Sequence, residues 1–263
     1  MRDRATASVE AIERAILILD VFSVDRPELG VAEITRATGL KRSTVHRALA
    51  SLESGGLLKQ DPATQKYGLG SKVVRLAHIL ESQTSLTTIA MPHMKALRDR
   101  FNETIALHVL DGQTRVVVQQ VESTHDLRRT YHEMGKQLPL YAGSPGKVIL
   151  AFLPPGEIRE IIADTGLSRF TGKTIADPEA LLADLEEIRR QGFATSVGER
   201  SDGISSISCP VRDRGGRVVA SINISGPEQR FTRSRALECL SALRAATRAV
   251  SRELGYAGSF ETQ

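Results

Sequence analysis

Apolar residues recur every three or four positions from Val9 through Ile12, Ile16 and Leu19 to Phe22. That spacing predicts one face of a helix, with Ser8 as its N-cap and Pro27 ending it. Leu29-Gly30 reads as a loop. Val31–Thr38 reads as a short helix with Ile34 and Ala37 inward, closed by Gly39. A second helix is expected from about Ser43 to Ser54, with Val45, Ala48, Leu49 and Leu52 on its apolar side. Two short runs, 57–60 and 66–69, flank the turn-forming Asp61-Pro62-Ala63-Thr64 and predict a hairpin. Residues 71–85 form a further helical stretch with Val73, Leu76, Ala77 and Leu80 on one side.

From about residue 88 the pattern changes. A helix is expected over 89–101, followed by strands at 104–110 and 115–121 joined through Asp111-Gly112. Helical periodicity covers 145–163 and 178–191. Strand-like runs follow at 193–197, 204–211 and 218–224, and 233–254 reads as one long amphipathic helix. Strands joined as hairpins and interspersed with helices predict an α+β protein with an antiparallel sheet, not a doubly wound parallel one. The resulting division is 1–70, a connecting helix over 71–87, and 88–263.

Composition adds limits. A length of 263 residues suits about two domains, and 41% hydrophobic residues suffice for packed cores. No apolar run is long enough to cross a bilayer, and the first residues lack the apolar segment of a signal peptide. Cys209 and Cys239 alone make no disulfide scaffold and are expected as small buried groups. A reduced, cytoplasmic protein without membrane contact is the expectation. The net charge of +4 is weak evidence for a nucleic-acid partner. Residues 1–70 carry ten Lys or Arg against nine Asp or Glu, so the basic excess is not concentrated there. Any argument for DNA therefore has to come from a motif.

Residues 31–58 supply it. Helix, glycine turn and helix follow in order, with apolar residues where two crossed helices touch and Gly39 where positive φ is useful. The second helix opens with Lys41, Arg42, Ser43, Thr44, His46 and Arg47, donors suited to phosphates and base edges. A recognition helix reads the major groove mainly with its N-terminal residues. Arg42, Ser43, Thr44 and Arg47 are the main candidate contacts. His46 suits either a contact or support of the helix. The hairpin would serve as a wing, with Lys59, Gln60, Gln65 and Lys66 along the backbone.

The run Lys41–Arg47 with Leu49 and Leu52-Glu53 resembles the IclR (isocitrate-lyase-regulator) family of bacterial transcription factors. Four further segments are similar to that family: Ala11–Ala15 with 17–22, Lys66–Gly70, Pro139–Lys147 and Ser221–Pro227. The resemblance implies a winged helix-turn-helix, a linker helix and a GAF-like effector-binding domain. It further implies dimers, often paired into tetramers, that bind operator DNA and a small organic acid or aromatic metabolite. By segment, the family's effector positions correspond to Gly143, Ser144, Ser206, Asn223 and Ser225. Family members often carry Cys at the Ser206 position and Ser at the Asn223 position.

Residue types point to the same region. Gly143-Ser144-Pro145-Gly146 precedes a helix whose first N–H groups suit a carboxylate. Leu127, Tyr131 and Leu138 are candidate apolar lid residues. Glu199 or Asp202 facing the pocket would disfavour an anion unless offset. Phe101, Phe152, Phe170 and Phe193 are expected in the core.

Catalytic patterns fail. Tyr141 and Val148 break a phosphate-loop match around Gly146-Lys147. Lys136 stands where a zinc motif begun by His132-Glu133 needs its second His. Gly203–Ile207 lacks the closing glycine of a nucleophile elbow. No cofactor, metal set or catalytic residue is expected. The alternative is a small-molecule-binding enzyme or sensor whose N-terminal domain serves only assembly.

Overall fold

The computed structural model describes residues 2–23, 25–83 and 85–259. The chain divides into two compact units, Met1–Gln83 and Thr84–Gln263.

The first unit begins with α1 (Arg2–Leu19), β1 (Glu28–Leu29), α2 (Val31–Thr38) and α3 (Arg42–Ser54). The hairpin β2 (Leu58–Gln60) and β3 (Tyr67–Leu69) follows, and then α4 (Ser71–Gln83). Ile18, Leu29, Ile34, Val45, Leu49, Leu52, Leu58 and Tyr67 form its core. Gly39 takes φ 69° and donates its N–H to the Thr35 carbonyl, so α2 ends in the left-handed cap that glycine favours. Glu33 turns back to accept the Gly30 N–H at 2.8 Å, satisfying a donor at the start of α2. At the hairpin tip, Asp61 Oδ1 accepts the N–H groups of Ala63 and Thr64.

Several expectations change here. Ser8 lies inside α1 and is not its N-cap, and the helix ends at Leu19, before Phe22. Leu29 belongs to a strand, which pairs with β3 to make a three-stranded sheet in the order β1-β3-β2. Ala37 is exposed. The side chains of Val9 and Leu80 lie outside the described residues.

The second unit is a six-stranded antiparallel sheet in the order β6-β5-β4-β9-β8-β7. The strands are β4 (Thr104–Asp111), β5 (Thr114–Val121), β6 (Gln137–Pro139), β7 (Ala194–Val197), β8 (Ile204–Arg212) and β9 (Val218–Pro227). Ile105, Leu107, Ile207, Cys209, Ile222 and Ile224 join one core with α5 (Ser85–Phe101), α9 (Arg233–Glu238) and α10 (Leu240–Glu253). A second core gathers around α6 (Ser144–Leu150), α7 (Pro155–Thr165) and α8 (Pro178–Gln191). Because strand side chains alternate, the face turned from the first core carries Ala106, His108, Ser206, Ser208, Ser221, Asn223 and Ser225. Ser221 Oγ donates to the Pro145 carbonyl and so ties this face to the start of α6.

The expected helix over 145–163 is two. Pro154 and Pro155 cannot continue α6, and α7 begins on Pro155. The expected helix over 233–254 is also two, because the backbone tightens at Cys239, whose N–H bonds the Ala236 carbonyl three residues back. The three-residue β6 was not foreseen. Phe193 is in the first core with Phe101 packed at its edge, Phe152 packs at the edge of the second core, and Phe170 is 46% exposed. Both cysteines are buried and free, and burial pushes the Cys209 thiol up to about 12.

Candidate functional site

In the first unit, α3 buries Val45, Leu49 and Leu52 against the core. The opposite side therefore faces water. Lys41 caps the helix, and Lys41, Arg42, Ser43, His46 and Arg47 are all exposed, while Thr44 is half-buried. Lys59 and Lys66 are exposed on the hairpin. Among the described residues, none of Lys41, Arg42, Arg47, Lys59 and Lys66 forms an ion pair. The first turn of α3 holds no acidic residue. Uncompensated donors at the positive end of a helix suit an anionic surface.

In the second unit, a buried polar relay runs across the sheet. Arg115 Nη1 donates to His108 Nδ1 at 2.7 Å. A guanidinium can only donate, so Nδ1 is the acceptor and His108 carries its proton on Nε2. Nε2 then donates to Asn223 Oδ1 at 3.1 Å, and Asn223 Nδ2 donates to the Tyr131 hydroxyl at 2.8 Å. That hydroxyl meets Ser225 Oγ at 3.2 Å. Burial first, and the Arg115 charge second, hold His108 well below its ordinary 6.5.

Arg115 is 2% exposed and also donates to the carbonyls of Pro139 and Ala142. It has no carboxylate partner among the described residues. Burial, then the neighbouring Arg200, push it down to about 9, which leaves it charged at neutral pH. It lines a cavity with Arg129, Tyr131, Gly143, Ser196, Arg200 and Ser206. The volume open to water-sized molecules is about 40 Å³, more than a single water needs.

The other two arginines come from anchored loops. The Arg129 carbonyl accepts from Thr104 Oγ1 and the Tyr131 N–H goes to Gln120 Oε1. Thr171 and Thr174 hydroxyls hold the carbonyls of Gly198 and Glu199 just before Arg200. Glu133 bridges the pair, with Arg200 Nη1 at 3.1 Å and Arg129 Nη2 at 3.3 Å. Burial alone would raise the Glu133 carboxyl, but Arg200 and Arg129 outweigh it and hold it below the usual range.

The glycine loop is occupied internally. Glu199 Oε2 accepts the Gly143 N–H at 3.1 Å, and Glu199 Oε1 pairs with Lys147 Nζ at 2.7 Å. Lys147 also pairs with Asp184 at 2.9 Å. Ser144 Oγ lies 2.7 Å from Ser206 Oγ and 2.6 Å from Ser208 Oγ. Glu199 thus faces the loop, and Lys147 offsets its charge.

Of the eight expected effector residues, Tyr131, Gly143 and Ser206 line the cavity. Ser144, Asn223 and Ser225 are buried behind it in the hydroxyl and relay networks. Leu138 packs below with Ala106, Val117 and Tyr131. Leu127 is 66% exposed and its carbonyl accepts from Arg230, so it does not line the cavity. Arg115, Arg129, Ser196 and Arg200 were missed. One signal existed: Arg115 shares strand parity with Val117, so an arginine sits at an inward position of an apolar strand.

The family model for the bacterial transcriptional regulator IclR C-terminal domain matches residues 78–252, and that for the IclR helix-turn-helix domain matches residues 11–62. The chain belongs to the IclR family. It is 32% identical over 254 residues to the HTH-type transcriptional regulator KdgR of Escherichia coli (strain K12), covering 97% of this chain and 96% of that protein. The Thermotoga maritima IclR structure matches with a TM-score of 0.78 at 28% identity, covering 94% of this chain and 100% of that one. An IclR homolog from Microbacterium hydrocarbonoxydans, crystallised with 4-hydroxybenzoate, matches with a TM-score of 0.82 at 27% identity, covering 93% and 98%. As an IclR-family member the chain is a DNA-binding transcriptional regulator, with DNA as one partner and a small-molecule ligand as another. The reading of the N-terminal domain as mere assembly, attached to an enzyme, is not favoured. No helix among the described residues is long and apolar enough to cross a membrane.

Proposed function

We propose that α3 enters the major groove of an operator with Arg42, Ser43, Thr44 and Arg47 leading. Lys41, His46, Lys59 and Lys66 flank the groove. The effector is a small organic acid held in the cavity of the second unit. The observation that carries this ligand class is Arg115, a buried cation that lines a cavity and has no carboxylate among the described residues. Burying a lone charge is costly, and a bound anion removes that cost. The 4-hydroxybenzoate in the Microbacterium relative is an acid of this kind.

The operator is read by two copies. Ile12, Ile16 and Leu17 on α1, and Val74 and Leu76 on α4, are large apolar residues left exposed in the first unit. A second copy of the chain would cover them and present two recognition helices about 34–36 Å apart. Pairing of such dimers into tetramers follows the family resemblance.

Footprinting on the DNA upstream of the protein's own gene, with and without a panel of organic acids, tests the reading. The expected result is a protected, near-palindromic site whose occupancy changes with one or more acids. Equal protection of scrambled DNA would remove the operator assignment. Thermal shifts with the same acids report cavity binding independently, because a ligand of the folded state raises apparent stability.

A further inference from the structure

With the second unit's cavity read as the effector site, as proposed above, its wall selects the charge of the ligand. Three guanidinium groups line that cavity, those of Arg115, Arg129 and Arg200. One carboxylate, Glu133, answers two of them. Behind the glycine loop Glu199 and Asp184 share Lys147, and Glu199 also accepts the Gly143 N–H. On the cavity wall itself three arginines thus face the one carboxylate of Glu133, an excess of two positive charges; with Lys147 shared by Glu199 and Asp184 behind the loop, the wider cluster has four cations to three carboxylates. The arginine donors are also incompletely used. Arg115 donates only to neutral acceptors. Arg200 Nε is buried without a hydrogen-bond partner. A single carboxylate on buried Arg115 would leave the partly exposed Arg200 beside it with only its share of Glu133, and the two like charges repel.

We propose that the effector is a compact dianion, a short dicarboxylate or a phosphate group, with one anionic portion on Arg115 and the other on the free edge of Arg200. The cavity wall adds neutral hydroxyls from Ser196 and Ser206, which orient the ligand without adding charge.

Calorimetric titration of the full-length protein with malonate, inorganic phosphate and acetate, at about pH 8 and constant ionic strength, tests this; there phosphate is mostly doubly charged. At least one dianion should bind about tenfold or more tightly than acetate, the gain of one further charge-assisted hydrogen bond. Which of malonate and phosphate binds distinguishes the two sources. Arg200→Gln removes one unmatched charge from a loop position, and should collapse the preference to about threefold or less while acetate binding persists. Acetate binding as tightly as both dianions to the unmodified protein overturns the dianion and leaves the anionic effector standing. Failure of all three to bind at roughly 20 mM overturns the cavity reading itself. Should Arg200→Gln not fold, as judged by circular dichroism, the wild-type ratio alone decides.

Discussion

Arg115 sets the direction of the buried relay, and a pH dependence follows from it. His108 is neutral in the folded protein because burial and the adjacent guanidinium both oppose a second ring proton. In the unfolded chain the same imidazole titrates near its ordinary 6.5. Above that value both states are neutral and the group contributes its full share. Below it the unfolded chain takes up a proton that the folded one refuses. Stability therefore falls as pH drops through 6.5, with a slope approaching roughly 1.4 kcal/mol per unit until the folded value is reached. Urea denaturation at about pH 7.5 and 5.5 should show a pH-dependent loss that is about 1.4 kcal/mol smaller in His108→Gln. An equal loss in both proteins would place the acid sensitivity elsewhere. Arg47 is a simpler case, because it is exposed and without an ion-pair partner among the described residues. Arg47→Ala should leave folding intact. If Arg47 reads a base, operator binding weakens by about 1–3 kcal/mol and discrimination at one position relaxes. If it contacts a phosphate, all sequences weaken alike and the salt dependence becomes shallower. Gel-shift titrations against operator and scrambled DNA separate the two.

Gly39 decides how α2 hands the chain to α3. Its φ is 69°, and a Cβ there would meet nothing within 4 Å. The cost of Gly39→Ala is thus backbone strain alone, about 1–2 kcal/mol, and Gly39→Asn should cost less because Asn tolerates this conformation. Thermal melting of the two variants checks the order. Elements like this turn were legible in the sequence because their signals are local: α2 is recovered at its expected bounds, α3 to within a residue, and α8 and the hairpins with little change. What escaped depends on distant pairing. The strands β1 and β6 have two and three residues, too few for a pattern, and exist because β3 and β5 accept them. The break between α6 and α7 was readable in Pro154-Pro155, but apolar periodicity on both sides obscured it. The cavity was half legible. Small polar residues at strand ends marked its neighbourhood, and Gly143 and Ser206 do line it. The glycine loop was expected to offer N–H groups to a carboxylate; the Gly143 N–H is taken by Glu199, 56 residues away in sequence. The three arginines come from a strand and two loops, and nothing in their local sequence brings them together.

Each unit holds half of a coupled equilibrium, and thermodynamics constrains the coupling without reference to its route. The overall charge of +4 does not by itself choose a DNA partner; on the proposed reading, operator affinity comes mainly from the unpaired cations on α3 and the hairpin. An effector shifts that affinity only if it binds the DNA-competent arrangement more or less tightly than the alternative. The shift is reciprocal. If saturating malonate changes operator affinity by some factor, saturating operator changes malonate affinity by the same factor. Couplings of this kind are typically about 5–150-fold, well within reach of fluorescence anisotropy for DNA and calorimetry for the anion. The expected outcome is agreement of the two factors within error. Arg200→Gln should shrink both together if the cavity is where the effector acts. Should the anion change DNA binding while pre-bound operator leaves cavity affinity untouched, the anion is competing at the α3 surface as a phosphate mimic. In that event Lys41, Arg42 and Arg47, not the buried arginines, are its site.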